Sequence, residues 1–290
     1  MKTKIVCAAA AALLAAGPAL ADSSASATLG PLTLTLIDLN PLDGVTPWVS
    51  FAGSSGSYTY ANAYTSAPYG YDNTDNYGSG AWGSSASAAT TSLAQASAAI
   101  SGSGTLAGTT LAASGSAANP VSANPWDYAY FQGYAYGPDV GSQSFTLSAN
   151  TLMVVQGAGS FVASTTGGYS LTNNSGEYVN ALVSLQLSGP ASGGGIGGYQ
   201  NSYDQIGASF YSNASWDGTG YVLTGASASD ARTLSVSFLN LTGTEMTGTM
   251  SAQVNVWGQT YANPVPEPET WALMLAGLAA VGSLARRRRA

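Results

Sequence analysis

The sequence has no histidine, and its single cysteine, Cys7, lies close to the N-terminus. These absences remove the commonest general base, the thiol nucleophile, and the imidazole and thiolate metal ligands. Charge is scarce as well: Asp, Glu, Lys and Arg together make up 7% of the chain. Basic residues sit almost wholly at the two ends, with Lys2 and Lys4 at one and Arg286, Arg287, Arg288 and Arg289 at the other. Between them Arg232 is the one base, set against twelve acids in residues 22–262, a net charge of −11 for that span. Such a body has nothing with which to neutralise phosphates, so nucleic acid and anionic lipid are not expected partners. Its solubility rests on Ser, Thr, Asn, Gly and Tyr, a surface suited to an extracellular, sugar-rich setting rather than the cytosol.

What is present at the N-terminus explains the placing of the lysines. Lys2 and Lys4 form a positive region, Ile5 to Ala16 an apolar run, and Ala19-Leu20-Ala21 a small-x-small cleavage site. Residues 1–21 therefore read as a signal peptide, with the mature chain beginning at Asp22. Cys7 lies inside the apolar run and leaves with it, so the mature chain has no thiol and no disulfide.

The C-terminal stretch, residues 263–290, has three parts. Asn263-Pro-Val-Pro266 links to a Pro266-Glu267-Pro268 turn, whose prolines fix φ and supply no N–H. An apolar run over 271–285 follows, expected as a short transmembrane helix, and Arg286 to Arg289 then hold its end on the cytoplasmic side. The run is shorter than the roughly 20 residues of a stable span, and Gly277 and Gly282 weaken it further. The arrangement resembles the sorting signal of PEP-CTERM proteins. That resemblance, confined to 265–290, implies export, a transient stop in the inner membrane, and processing by exosortase near Pro266, Glu267 and Pro268. It also implies a bacterium that secretes exopolysaccharide and forms biofilms. An ordinary tail anchor is the alternative for the same residues.

The body, 22–262, reads as all-β. Leu32, Leu34 and Leu36 alternate with threonines, and Tyr58, Tyr60 and Tyr64 fall on one side of a strand. Val179, Ala181, Val183, Leu185 and Leu187 alternate without a fault, as do Met246, Gly248, Met250, Ala252, Val254 and Val256. Further strands are expected at 48–52, 126–136, 144–148, 152–164, 206–210, 220–224 and 233–241. Residues 69–83 read as a loop rich in Asp, Asn, Gly and Tyr. Residues 84–119 are almost wholly Ala, Ser, Thr and Gly, a low-complexity stretch read as short strands with loose connections. Many short alternating strands separated by Gly, Asn and Asp turns indicate an antiparallel β-sandwich or jelly-roll-like body.

No catalytic residue, cofactor or metal site is expected. A glycan-active hydrolase needs only two carboxylates, but most aspartates lie in turns, as in Asp43-Gly44 and Asp217-Gly218, where Asp serves the turn itself. Asn73 to Gly78 has the alternate oxygens of a calcium loop, but the twelfth position of that alignment is Ser84 instead of Glu. Sugar binding is the stronger alternative, because Trp and Tyr stack on pyranose faces while Asp accepts hydroxyl protons. Trp126, Asp127, Tyr128, Trp216 and Asp217 are the candidates for glycan contact, with Tyr130 and Tyr69-Gly-Tyr71-Asp72 of the same composition, against the alternative that such aromatics fill the core or serve cross-strand packing. Three Asn-x-Ser/Thr matches begin at Asn173, Asn213 and Asn240, a number expected by chance in so Ser- and Thr-rich a chain. The reading is a non-catalytic surface or matrix protein with exosortase as processing partner and exopolysaccharide as the candidate ligand. Polysaccharide binding and glycan hydrolysis are the alternatives.

Overall fold

The computed structural model describes residues 22–262 except 52–55, 79–81, 103–105, 107, 121, 123, 138–142, 171–173 and 193–197. The expected signal peptide, the helix over 271–285 and the residues Ala19, Ala21, Pro266, Glu267, Pro268 and Arg286 to Arg289 lie outside the described residues. Within them the protein is all-β, and no helix is long and apolar enough to cross a membrane.

In chain order the strands are β1 (Asp22–Asp38), β2 (Val49–Phe51), β3 (Ser57–Ser66), β4 (Tyr69–Gly78), β5 (Ser85–Thr90) and β6 (Ala94–Ser101). Next come β7 (Thr110–Ala118), β8 (Tyr128–Gly137), β9 (Gln143–Leu147), β10 (Thr151–Thr165), β11 (Tyr169–Ser170) and β12 (Ser175–Gly176). The last are β13 (Tyr178–Pro190), β14 (Tyr199–Tyr211), β15 (Asn213–Trp216), β16 (Tyr221–Thr224), β17 (Ser227–Asn240) and β18 (Met246–Tyr261). Six strands form one antiparallel sheet in the order β17-β10-β1-β7-β6-β5. The second sheet runs β14-β13-β18-β8-β3-β4, with β9 and β2 added beside the start of β18. β11 pairs with β12 and β15 with β16 as two small ribbons. The two large sheets pack face to face in step, so that each strand of one order touches the strand at the same place in the other.

The layer between them changes character along the sheets. Around β10, β13, β17 and β18 it is filled by Met153, Val155, Val183, Leu185, Leu234, Phe238 and Val254, all fully buried. Each such side chain contributes about 1.5–3 kcal/mol of burial. Phe238 meets Phe145 edge to face with centroids 5.0 Å apart. Around β3, β5, β6 and β7 the inward residues are alanines such as Ala61, Ala96, Ala98 and Ala113, with Thr59, Ser85 and Ser87 among them. The buried hydroxyls satisfy one another: Thr59 Oγ1 lies 2.8 Å from Ser85 Oγ and 2.9 Å from Ser87 Oγ. With side chains this small the sheets approach backbone to backbone. A Cβ placed on Gly133 of β8 would stand 2.6 Å from the Ser97 carbonyl of the opposite sheet. Phe131 takes the space left by two glycines, since a Cβ on Gly115 would lie 2.2 Å from its ring and one on Gly258 2.7 Å.

Two edges of the six-stranded sheet are closed by side chains of the other sheet. Along β17, the N–H groups of Ser235, Ser237 and Leu239 donate to Asp204 Oδ2 (2.9 Å), Ser202 Oγ (3.0 Å) and Gln200 Oε1 (3.0 Å) of β14. Along β5, the Thr90 N–H donates to Asp72 Oδ2 of β4 at 2.8 Å, and Asn76 of β4 donates to the Ala86 carbonyl. Backbone groups occupied in this way cannot recruit a further strand.

Several expectations are corrected here. Residues 69–78, expected as loop, are β4, and β14 begins seven residues before the expected strand at 206–210. The stretch 84–119 does form strands, β5 to β7, paired in register as a meander. The alternating runs of β13 and β18 face the core as expected.

Candidate functional site

On both large sheets the alternate residues that do not enter the core form an outer face. On the eight-stranded sheet this face is built from aromatic rings and amides. The antiparallel registers set Tyr77, Tyr58 and Tyr136 side by side in one row across β4, β3 and β8. Two residues along, Asp75, Tyr60 and Tyr134 continue into Asn255 of β18. The next row is Asn73, Asn62, Gln132, Trp257 and Asn180, and the next is Tyr71, Tyr64, Tyr130, Gln259, Tyr178 and Tyr211. Tyr69, Tyr128 and Tyr261 lie at the end.

The rings pack against one another in tilted pairs. Tyr64 and Tyr128 have centroids 5.0 Å apart, Tyr128 and Tyr261 5.8 Å, and Tyr178 and Trp257 4.0 Å. Tyr130 donates its hydroxyl to Gln132 Oε1 at 2.9 Å, Tyr134 to Gln253 Oε1 at 3.2 Å, and Asn62 Nδ2 donates to the Tyr60 oxygen at 2.9 Å. Phenols and amides thus hold one another in position across the face. Two amide oxygens in the middle of the face, Asn62 Oδ1 and Asn255 Oδ1, are covered and accept no hydrogen bond among the described residues. A groove of about 470 Å³ runs between Tyr64, Tyr71, Tyr128, Tyr130 and Tyr261, with Asn62 and Gln259 in its wall. No charged side chain lines it.

Burial pushes the Tyr130 phenol up to about 12, with the neighbouring Tyr60 and Tyr128 phenols adding to the rise. Tyr134 is pushed further up for the same first reason, and Tyr58 and Tyr128 are raised as well. These hydroxyls remain neutral donors across the physiological range.

The outer face of the six-stranded sheet is of the opposite kind. Ser227, Ser164, Ser24, Ser116, Gln95 and Thr90 form one row across its strands. Ser24 Oγ lies 2.8 Å from Ser164 Oγ, Thr28 Oγ1 2.8 Å from Ser160 Oγ, and Ser97 Oγ 2.8 Å from Ser114 Oγ. No tyrosine or tryptophan stands in these rows.

The residues expected to touch glycan divide between places. Tyr128 belongs to the tyrosine groove. Trp126 is 64% exposed in the turn that leads into β8. The Asp127 carboxylate is taken up by Ser66 (3.1 Å), Asn124 (3.2 Å) and Ser122, so it braces the turn. Trp216 stands 62% exposed on the separate β15–β16 hairpin, edge-on to Tyr221 at 5.4 Å. Asp217 accepts the Thr219 and Gly220 N–H groups at 2.8 and 2.9 Å, which hold it well below the usual carboxylate range. Tyr71 and Tyr130, also of the expected composition, line the same groove, whereas Tyr64 and Tyr261 were not among the candidates.

The calcium alignment also falls. Asn73 to Gly78 is extended, so its side chains alternate between faces and cannot converge on one ion. No group of three acids lies close enough to hold a metal among the described residues. Asn240 is fully buried, with Nδ2 donating to the Ser148 and Thr244 carbonyls at 2.9 Å. It is a bracket between β17 and β9, not a glycan acceptor, whereas Asn213 is exposed on β15.

Residues 264–289 match the PEP-CTERM protein-sorting motif. The motif marks an exported protein, anchored in the membrane as a precursor and processed by exosortase to the cell surface. Neither the curated proteins nor the solved structures contain a match to the chain.

Proposed function

We propose that the body is a non-catalytic component of the cell surface or extracellular matrix, and that it holds neutral polysaccharide on its tyrosine–amide face. The observation that carries this reading is the groove, where five tyrosine side chains lie beside two amides with no charge among them. Sugars present apolar C–H faces and a rim of hydroxyls, and mixed aromatic and polar surfaces of this kind match both. A body of net charge −11 repels polyanionic glycans, so the ligand class is neutral. Holding is favoured over hydrolysis because cleavage needs an acid and a second carboxylate flanking the bond, and no carboxylate lines the groove.

Sorting takes the protein to the cell surface, where a secreted polysaccharide would be within reach of the face. Affinity electrophoresis of the purified exported protein in gels containing neutral glucan or galactan tests the reading. Retardation that Tyr64→Ala and Tyr130→Ala abolish supports it; equal mobility in every gel sinks it. Mass spectrometry of the mature C-terminus tests processing separately, and intact Arg286 to Arg289 peptides at the cell surface would count against it.

A further inference from the structure

β1 opens at Asp22 against the end of β10. The Asp22 backbone N–H donates to Thr166 Oγ1 at 2.8 Å, and the Thr166 N–H returns to the Asp22 carbonyl at 3.1 Å. The Thr166 hydroxyl donates onward to Glu177 Oε1 at 3.0 Å, while Glu177 Oε2 accepts the Gly167 N–H at 3.0 Å. Glu177 is 1% exposed, and its place is fixed by its own N–H, which donates to Ser212 Oγ at 2.8 Å. Ser212 in turn donates to the Gly168 carbonyl at 2.6 Å. The carboxylate itself accepts from the Thr166 hydroxyl and the Gly167 N–H.

What the cluster lacks is positive charge. The one ion pair among the described residues joins Arg232 to Asp204 on other strands. The groove beside Asp22, walled by Ser24, Thr90 to Gln95, Ser116 and Ser164, contains no ionisable side chain except that of Asp22 itself. No charged group is among the causes that act on Glu177, whose carboxyl burial pushes up against the hydrogen bonds from Gly167 and Thr166. A buried carboxylate without a countercharge is a costly arrangement.

We propose that Thr166 and Glu177 form a binding site for a primary ammonium group that the chain itself supplies on maturation. Hydrolysis of the Ala21–Asp22 bond consumes one water and leaves a carboxylate on Ala21 and an α-ammonium on Asp22. That ammonium keeps the bond to Thr166 and becomes the countercharge of Glu177 one hydroxyl away. Removal of the signal peptide then locks the first strand, because the charged end exists only after the cut. The inference rests on cleavage before Asp22 and is independent of what the tyrosine face binds.

The sign of the effect follows from linkage. An amine that gains an anionic partner has a raised folded-state pKa. Its stabilisation is full below the unfolded value of about 7.7–8.0 and is lost as pH rises through the folded value. At low pH the effect ends when Glu177 protonates.

The exported body carries no lysine, so its α-amine is the one amine available to selective chemistry. Exported protein is first sequenced from its N-terminus; a first residue other than Asp22 overturns the inference at its premise. One sample is then N-acetylated, which removes the charge, and another reductively methylated, which keeps it. At pH 6 the acetylated protein is expected to melt about 2–4 °C lower, with the methylated one close to the untreated. At pH 10 the three should agree. In Glu177→Gln, or in Thr166→Val should that variant fail to fold, acetylation should shift nothing. NMR of the methylated amine reads its pKa directly. A value at or below the usual range, or equal melting of acetylated and untreated protein at pH 6, overturns the proposal.

Discussion

The two outer faces rest on the same antiparallel backbone and obey the same alternation, yet they offer opposite surfaces. On the six-stranded sheet, serine and threonine hydroxyls stand opposite one another across neighbouring strands and close into pairs. Short side chains leave no ring on that face, so it offers a ligand hydroxyls without apolar surface to stack on. On the eight-stranded sheet the phenols and amides bond at their tips, which fixes the rings. The difference teaches that binding capacity here depends on whether a face adds aromatic surface to its polar groups. Hydroxyl pairs offer only hydrogen-bonding groups; tyrosine–amide pairs also carry aromatic surface.

The interior sets the terms for both faces, and the harshest way to break the comparison is to force the sheets apart. Gly133→Val places side-chain atoms against the Ser97 carbonyl across the layer, and overpacking of this kind costs about 1–3 kcal/mol, here at the upper end. Urea unfolding should show it, with both faces lost in one transition. Next in size are the ring deletions. Tyr64→Ala or Tyr130→Ala should weaken polysaccharide binding about tenfold while unfolding changes less, read by titration calorimetry beside urea unfolding.

A smaller effect separates the faces by pH. The Tyr130 phenol ionises only near 12, above the value of about 10 in the unfolded chain. The unfolded state therefore loses this proton first, so stability is intact below pH 10 and declines as pH rises from 10 towards 12. Tyrosinate absorbance followed with circular dichroism should show late ionisation accompanying unfolding. The smallest effect expected is that of Ser24→Ala with Ser97→Ala on the hydroxyl face: within about 0.5 kcal/mol for each in stability, and no change in binding.

The strands that face the core with apolar residues were legible in the sequence, β13 and β18 most clearly, because one wet and one dry side produce a period of two. The two worst readings share a cause. β4 and the first half of β14 turn polar residues inward, Asp72 and Asn76 in one, Gln200, Ser202 and Asp204 in the other. Those side chains close the edges of β5 and β17, a tertiary task that removes the hydrophobic signal from the strand that performs it. Low intrinsic β-propensity of Asp, Asn and Gly then makes β4 look like a loop. The groove was legible only in part. Tyr58, Tyr60 and Tyr64 share a strand, but their meeting with Tyr130 and Gln259 depends on β8 lying between β3 and β18. Local patterns carry no record of such pairing between distant segments.

The central claim, that the tyrosine–amide face and not the hydroxyl face takes neutral polysaccharide, is tested most directly by binding isotherms on one neutral polymer. Wild type, Tyr64→Ala/Tyr130→Ala and Ser24→Ala/Ser97→Ala would be compared at equal folded fraction. The account predicts that the serine variant binds as wild type does and that the tyrosine variant loses most of its affinity. Equal affinity in all three, or loss confined to the serine variant, would contradict it.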